Sequence, residues 1–366
     1  MRILLIGEYS RLHYTLAEGL RILGHDVVVA SDGDLFKNYP RDIDLTRKSS
    51  GLIDTLSCTL SSFYKFSHFK GFDIVQLINP CFVTLNIHLV QYLYKMLKAN
   101  NKKIFLGAFG DDSYWVRACL TNKIFKYSEF FVDGRSTNLD YNKVLTARWI
   151  DSKREAVNKE IATSCDGIIA CLYEYYKSYE PYFSDKLKYI PLPLNTMKTE
   201  YSPIDKTPDR VNFFIGINRD RSEYKGTDRM AKVLSDVAQK YPNEVIVTKA
   251  ESVSYDEYQV LMSQSHIVLD QLYSYSPAMN ALLAMGQGRI VVGGGEPEIY
   301  DLLGEKENHP IINVFPSEKD IFDKLEYLVL NKDVIPKLSR QGRLFVEQHH
   351  DYIAVARQYL EFWNSK

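Results

Sequence analysis

The chain has 366 residues, more than one ordinary hydrophobic core accommodates; at about 150 residues per domain, two domains are expected. Hydrophobic residues make up 45% and charged residues 25%, which excludes the disordered, collagen-like and coiled-coil classes. Forty-five Lys and Arg against 46 Asp and Glu leave a net charge of −1, which argues against a nucleic-acid protein with a basic surface.

MRILLIGEYS opens with an apolar run far shorter than a signal peptide's, and no later run approaches the roughly 18–20 residues that span a bilayer. Five scattered cysteines, Cys58, Cys81, Cys119, Cys165 and Cys171, show neither metal nor redox spacing and read as thiols of a reducing compartment. A soluble cytoplasmic protein is the expectation. Residues 3–6 read as a doubly buried strand, followed by a helix over 11–23 capped by Ser10 and ended by Gly24, and then the strand 26–31. Strands follow at 72–78, 102–109, 166–172 and 188–194, with a helix over 84–98. Residues 195–209, polar and carrying two prolines, read as a linker. A second series has strands at 210–216, 244–250, 266–272, 289–294 and 311–315, and helices over 226–241, 254–264 and 277–287. A final helix places Ile353, Ala356, Leu360 and Trp363 on one face. The fold class is therefore α/β: two doubly wound Rossmann-like domains facing each other across a cleft.

Chemistry concentrates at the carboxyl ends of these strands. After 210–216, Gly216 is followed by Arg219, Arg221 and Lys225 and by a helix opening at Gly226, a pattern suited to a diphosphate. A solvated loop, its cations paired with Asp220, Glu223 and Asp228, is the alternative. In 270–298, Ser276 is a good N-cap and Pro277 a first helical residue, which would turn free amides toward the cleft. Gly293, Gly294 and Gly295 would admit a ligand to the backbone, and Glu296, more than Glu298, would bind hydroxyls. In the first half, Gly7, Glu8 and Ser10 form the first strand-to-helix loop. Asp111 and Asp112 follow a later strand, one as a base toward a hydroxyl, or one as an N-cap. FYKFSHFK (63–70) reads either as core or as a membrane-surface segment. His349 and His350 read as surface polarity. No DxD or other metal-ligand spacing is present, so no metal and no resident cofactor are expected.

These segments resemble the GT-B glycosyltransferases of the group 1 type, which elongate polysaccharides and glycolipids. The family's cationic loop corresponds to Gly216, Arg219 or Arg221, and Lys225-Gly226. Its EAMAxGxPVV segment corresponds to LAMGQGRIVV (283–292), followed by GGGEPE, and its returning last helix to FVEQHHDYIAVARQYLEFW. The family's paired glutamates, spaced E-x7-E, would fall at Tyr275 and Leu283, where neither is a carboxylate. The resemblance implies an acceptor-side domain over 1–195, a nucleotide-sugar domain over 196–350 and a crossover helix over 351–366. It implies donor diphosphate contacts from Gly7, Arg219, Arg221, Lys225, Ser276, Ala278 and Met279. Asp270, Tyr275, Asn280 and Glu298 would meet the donor sugar or ribose, and Asp111, Asp112 and Glu296 would be catalytic. The implied partners are a nucleotide-sugar donor and a glycan or lipid-linked saccharide acceptor, met at the inner face of a membrane. A sugar-nucleotide epimerase and a non-catalytic nucleotide-sugar-binding subunit are the rival readings.

Overall fold

The computed structural model describes residues 1–47, 51–121, 123–251 and 253–366, with the side chains of residues 36, 52, 53 and 55 outside the description. The N-terminal lobe is built on strands β1 (Arg2–Ile6), β2 (Asp26–Ser31), β3 (Ile43–Asp44), β4 (Ile74–Leu77) and β5 (Lys103–Ala108). A small hairpin, β6 (Phe131–Val132) with β7 (Arg135–Ser136), precedes β8 (Gly167–Ala170) and β9 (Leu187–Tyr189). All but the hairpin form one parallel sheet in the order β3-β2-β1-β4-β5-β8-β9. Ile3, Leu4, Leu5 and Ile6 of β1 are fully buried, as a strand covered by helices on both faces must be. The C-terminal lobe carries β10 (Val211–Ile217), β11 (Val245–Glu251), β12 (Ile267–Leu269), β13 (Ile290–Gly293) and β14 (Ile312–Asn313), parallel in the order β11-β10-β12-β13-β14. In both sheets the order reverses beside the first strand, which opens a crevice at the carboxyl edge.

The chain crosses between lobes twice, side by side. Leu194 donates its amide to His350 O at 2.7 Å, and Tyr352 donates back to Leu194 O at 3.1 Å. His350 is buried here with Nδ1 2.8 Å from Leu192 O, so it is part of the crossing rather than surface polarity. Its neighbour His349 pairs with Glu305. The last helix, Tyr352–Ser365, then lies on the N-terminal lobe. Its buried face is Tyr352, Val355, Ala356, Tyr359, Phe362 and Trp363, rotated from the expected one, because Ile353 and Leu360 are half-buried. Helix Leu12–Ile22 approaches it so closely that a Cβ on Gly19 would meet Ala356 Cβ at 3.0 Å. The Trp363 indole N–H reaches Gln76 Oε1 at 3.3 Å beneath the sheet.

The segment 63–70 divides between both readings. It ends a helix, Leu52–Ser67, that the sequence pattern did not reveal. Phe66 and Phe69 enter the core, while Leu56, Leu60 and Tyr64 form an exposed stripe along the same helix. No helix among the described residues is long and apolar enough to cross a membrane.

Trp363→Ala removes a fully buried side chain that closes the second crossing. The expected loss is about 3–5 kcal/mol, read as an earlier denaturant midpoint by tyrosine fluorescence or circular dichroism. A midpoint equal to the parent's would contradict this packing.

Candidate functional site

The cationic loop of the C-terminal lobe follows β10 through a 3-10 turn, Arg219–Arg221, and one helical turn, Ser222–Lys225. Gly226, at φ +69°, then redirects the chain into helix Thr227–Lys240, a conformation that glycine adopts without strain. The three cations of this loop have different fates. Arg219 is exposed at the rim and paired with Glu251, so its expected place in the cleft is not the observed one. Arg221 turns inward against the paired rings of Tyr141 and Tyr224, whose centroids lie 5.5 Å and 5.2 Å from its guanidinium and 4.4 Å from each other. Its Nε is buried and has no hydrogen-bond partner among the described residues. Lys225 is half-buried, and its ammonium makes no hydrogen bond or ion pair among the described residues. Burial holds Lys225 below the usual lysine range; Asp270 pulls the other way, while Arg221 and Lys37 add repulsion.

Asp111 and the Tyr141 ring belong to the N-terminal lobe, so this loop faces the interlobe cleft. Tyr224 donates its hydroxyl to Asp111 Oδ1 at 3.4 Å. Burial raises the Asp111 carboxyl above its ordinary range against the opposing pull of Arg221. Asp112 has a different task. Its Oδ1 accepts the amides of Tyr114 at 2.9 Å and Trp115 at 3.0 Å, and its Oδ2 accepts the Tyr179 hydroxyl at 2.6 Å. It is fully buried and caps helix Ser113–Thr121, which corrects its expected catalytic role. Burial brings its carboxyl to about 6.

The segment 270–298 also departs from expectation. The helix begins at Met279 rather than 277 and ends at Gly286; Ala278 is its N-cap and provides no side-chain cap. Its first bond runs from the Leu282 amide to Ala278 O at 3.0 Å, which leaves the amides of Met279, Asn280 and Ala281 without an intrahelical acceptor. Ala278, Met279 and Asn280 are half-exposed. Asn280 donates to Asp270 Oδ1 at 3.0 Å and accepts the Tyr258 hydroxyl at 3.0 Å, which ties this helix start to the buried Asp270 beside Lys225. Tyr258 itself lies across Gly216, where a Cβ would come within 2.6 Å of its ring. Ser276 is buried and does not cap the helix; its hydroxyl accepts the Tyr173 amide and donates to Glu174, both at 2.9 Å.

Tyr275, at the position of the family's first glutamate, joins the lobes. Its ring is stacked between Tyr127 (centroids 4.8 Å apart) and Tyr173 (5.3 Å) of the N-terminal lobe. Its hydroxyl oxygen accepts the amides of Lys126 and Tyr127. Leu283, at the second glutamate position, is half-buried against the core. Glu296 is buried beneath the same stack and accepts from Tyr127 Oη at 2.9 Å, Lys126 Nζ at 3.0 Å and Asn313 Nδ2 at 2.8 Å. Burial pushes its carboxyl up, but these three donors outweigh it and hold the group below the usual range. Fully engaged, Glu296 is an interlobe tie rather than a free base, and Glu298 pairs with the same Lys126 at 2.6 Å. The glycines 293–295 accommodate protein: Ser274 O and Ile311 fill the space beside Gly294 and Gly295.

On the N-terminal side, Gly7 stands at φ +86°, and the space a Cβ would take is filled by Ile78. Its place in the loop is therefore set by packing. Ser10 and Arg11 are also left-handed, at φ +51° and +68°. The helix that follows, Leu12–Ile22, is capped not by Ser10 but by Glu8, whose carboxyl oxygens accept the amides of His13 at 3.2 Å and Tyr14 at 2.8 Å. Burial raises that carboxyl to about 8. Gly7, Glu8, Tyr9, Asp32, Cys81 and Thr84 line a small cavity at this edge.

The structure thus brings together Arg221, Lys225, Asp270, Asn280, the Ala278–Met279 backbone and Asp111, and separates from them Arg219, Asp112, Ser276, Tyr275, Glu296 and Glu298. Sequence reading passed over Tyr127, Tyr173, Glu174 and Glu129. Glu129 lies within electrostatic reach of Asp111 and Arg221, and burial raises its carboxyl to about 8. Tyr173 and Glu174 had one legible signal, since they follow a strand whose carboxyl end shares an edge with Gly7 and Asp111. Tyr127 and Glu129 lie in an irregular insertion with no strand-end position to mark them. No group of three or more His, Cys, Asp or Glu side chains among the described residues could hold a metal ion.

Residues 220–361 match the family model described as glycosyl transferase-like. No curated protein matches the chain in sequence. Among solved structures, it is similar to a sucrose-phosphate synthase from Thermosynechococcus elongatus (14% identity, TM-score 0.65), covering 100% of this chain and 98% of that one. Anabaena HepE in complex with UDP and glucose matches with 13% identity and a TM-score of 0.60, covering 100% of both chains. A UDP-GlcNAc 2-epimerase from Neisseria meningitidis bound to UDP-GlcNAc matches with 14% identity and a TM-score of 0.53, again over 100% of both. The family match thus covers the C-terminal part of the chain, and along its whole length the chain shares the fold of these solved structures.

Proposed function

We propose that the protein transfers a sugar from a nucleoside-diphosphate sugar to a hydroxyl of a glycan or lipid-linked saccharide. The observation that carries this reading is Lys225: a half-buried cation without a counter-ion in bonding range, beside a helix start whose amides lack acceptors. Such a site favours an arriving anion with two phosphates, because its donors and charge need no reorganisation. Arg221, with a buried and unpartnered Nε, adds a second cation from the same loop.

In this reading the acceptor hydroxyl attacks the anomeric carbon of the donor. The bond from that carbon to the diphosphate oxygen breaks, and its electron pair leaves with the diphosphate. Lys225, Arg221 and the amides of Met279 and Asn280 stabilise the charge that develops there. Asp111 stands at the cleft wall within reach of Tyr224 and is the carboxylate assigned to take the acceptor proton. The reading calls on no resident cofactor. The exposed stripe of Leu56, Leu60 and Tyr64 supports a lipid-linked acceptor met at the cytoplasmic face of a membrane.

The direct test is incubation with UDP- and GDP-sugars, with and without saccharide acceptors. Acceptor-dependent nucleotide release supports the transferase, a new sugar isomer would identify an epimerase, and binding without turnover would identify a binding subunit. Lys225→Ala is expected to lower turnover by roughly 10²-fold or more, and unchanged kinetics would remove Lys225 from the reaction. Because the Lys225 proton is held less tightly than an ordinary lysine's, nucleotide affinity should decline as pH rises, and earlier than for a solvated lysine. Lys225→Arg should flatten that alkaline decline in a calorimetric titration series; an identical pH profile would argue against the assignment.

The two aspartates separate by their roles. Asp111→Asn should lower kcat by about 10²–10⁴-fold. Asp112→Asn preserves an N-cap oxygen and should leave kcat within a few-fold of the parent. A reversed order in steady-state assays would restore Asp112 as the base.

A further inference from the structure

Two helices start on opposite sides of the seam between the lobes. On one side β8 leads into helix Tyr173–Phe183; on the other, the irregular segment 274–278 leads into helix Met279–Gly286. Glu174, in the first turn of the former, reaches across to the latter. Its Oε1 accepts the amides of Tyr275 and Ser276 (3.2 Å for the second) and the hydroxyl of Ser274 at 3.0 Å. Its Oε2 accepts the Ser276 hydroxyl at 2.9 Å, and the Ser276 hydroxyl oxygen in turn accepts the Tyr173 amide. One carboxylate therefore collects four donors from three consecutive residues of the other lobe.

The arrangement has a physical consequence for the helix that follows. The segment 274–278 lacks regular structure, and no side chain caps the helix at Ala278. Two adjacent amides at a lobe interface need an acceptor, and among the described residues the carboxylate that supplies it is Glu174 of the N-terminal lobe. Both helices also turn their positive ends toward this seam, so a negative charge between them offsets the repulsion of the two dipoles. Three residues beyond Ser276 stand the amides that the proposed donor site uses.

We propose that Glu174 is a positioning residue for the donor site: from the N-terminal lobe it fixes the approach to helix Met279–Gly286 and so aims the amides of Met279 and Asn280 at the diphosphate. This rests on the donor-site reading above. It makes the donor site a product of both lobes, complete only while they are docked. A residue that merely joined the lobes would lower stability and leave the affinity of the folded protein unchanged. Glu174 is expected to alter affinity itself.

Glu174→Gln preserves the size of the side chain and one acceptor oxygen, but it removes the charge and turns an NH2 group toward donors. Calorimetric titration with UDP and GDP, well below the unfolding temperature of either protein, is expected to show Kd raised about 10-fold, the scale of one lost charge-assisted hydrogen bond. Ser276→Ala should act through the same contact, so the double variant should bind scarcely more weakly than the weaker single. An unchanged Kd, or strictly additive effects, would overturn the proposal. Hydrogen exchange measured without nucleotide gives a separate reading: the amides of Tyr275, Ser276 and Leu282, which are hydrogen-bonded in the parent, should lose protection in Glu174→Gln, and equal protection would overturn it. If the parent protein binds neither UDP nor GDP, the donor-site reading fails, and the exchange result alone decides whether Glu174 positions this segment.

Discussion

An ammonium group taken out of water without a partner raises the free energy of the folded state. Lys225 goes part of the way to that condition: it is half-buried beside the turn at Gly226, with Arg221 and Lys37 adding repulsion and Asp270 opposing. Around it the structure keeps other groups similarly incomplete: the Nε of Arg221 against the paired rings of Tyr141 and Tyr224, and the uncapped start of helix Met279–Gly286. Every one of these deficits is of the sign that an anion relieves. The cleft is thus preorganised for negative charge, and the rest of the molecule preserves that state.

Preservation depends on the seam. The lobes are fastened along one side by the stack of Tyr127, Tyr275 and Tyr173, by Glu296 with its three donors, and by Glu174 with its four. An apolar cluster that includes Trp115, Phe125, Phe130 and Trp149 from one lobe and Tyr224 and Tyr275 from the other continues beneath it. The side of the crevice at Tyr275 is thereby filled with aromatic protein. The proposed donor site lies on the other side, toward Lys225 and Lys37.

The alternation of strands and helices was legible because parallel strands are continuous apolar runs and the glycines that end them lie at fixed places. The turn at Gly24 and the helix opening at Gly226 were read on that basis. The loop carrying Arg221 and Lys225 was legible for the same reason, since it follows a strand's carboxyl end. What escaped was contact across the seam. Asp112 and Asp111 are neighbours in sequence, yet one points down into a cap and the other out into the cleft, and no local pattern separates them. Ser276 has a capping residue's chemistry, but Glu174, a hundred positions earlier, claims it first. His350 looked like tail polarity because its partner, Leu192 O, comes from the other crossing strand. Helix Leu52–Ser67 was hidden by apolar residues on its outer face, which blurs the period that marks a buried stripe.

The measurement closest to the central claim is a crystal structure of the protein with a nucleoside diphosphate bound. The diphosphate is expected between the lobes, with the Lys225 ammonium and the amides of Met279 or Asn280 within hydrogen-bond distance of its phosphate oxygens and Arg221 beside them. A nucleotide bound elsewhere, or phosphates held in the cleft while Lys225 turns away to Asp270, would contradict it.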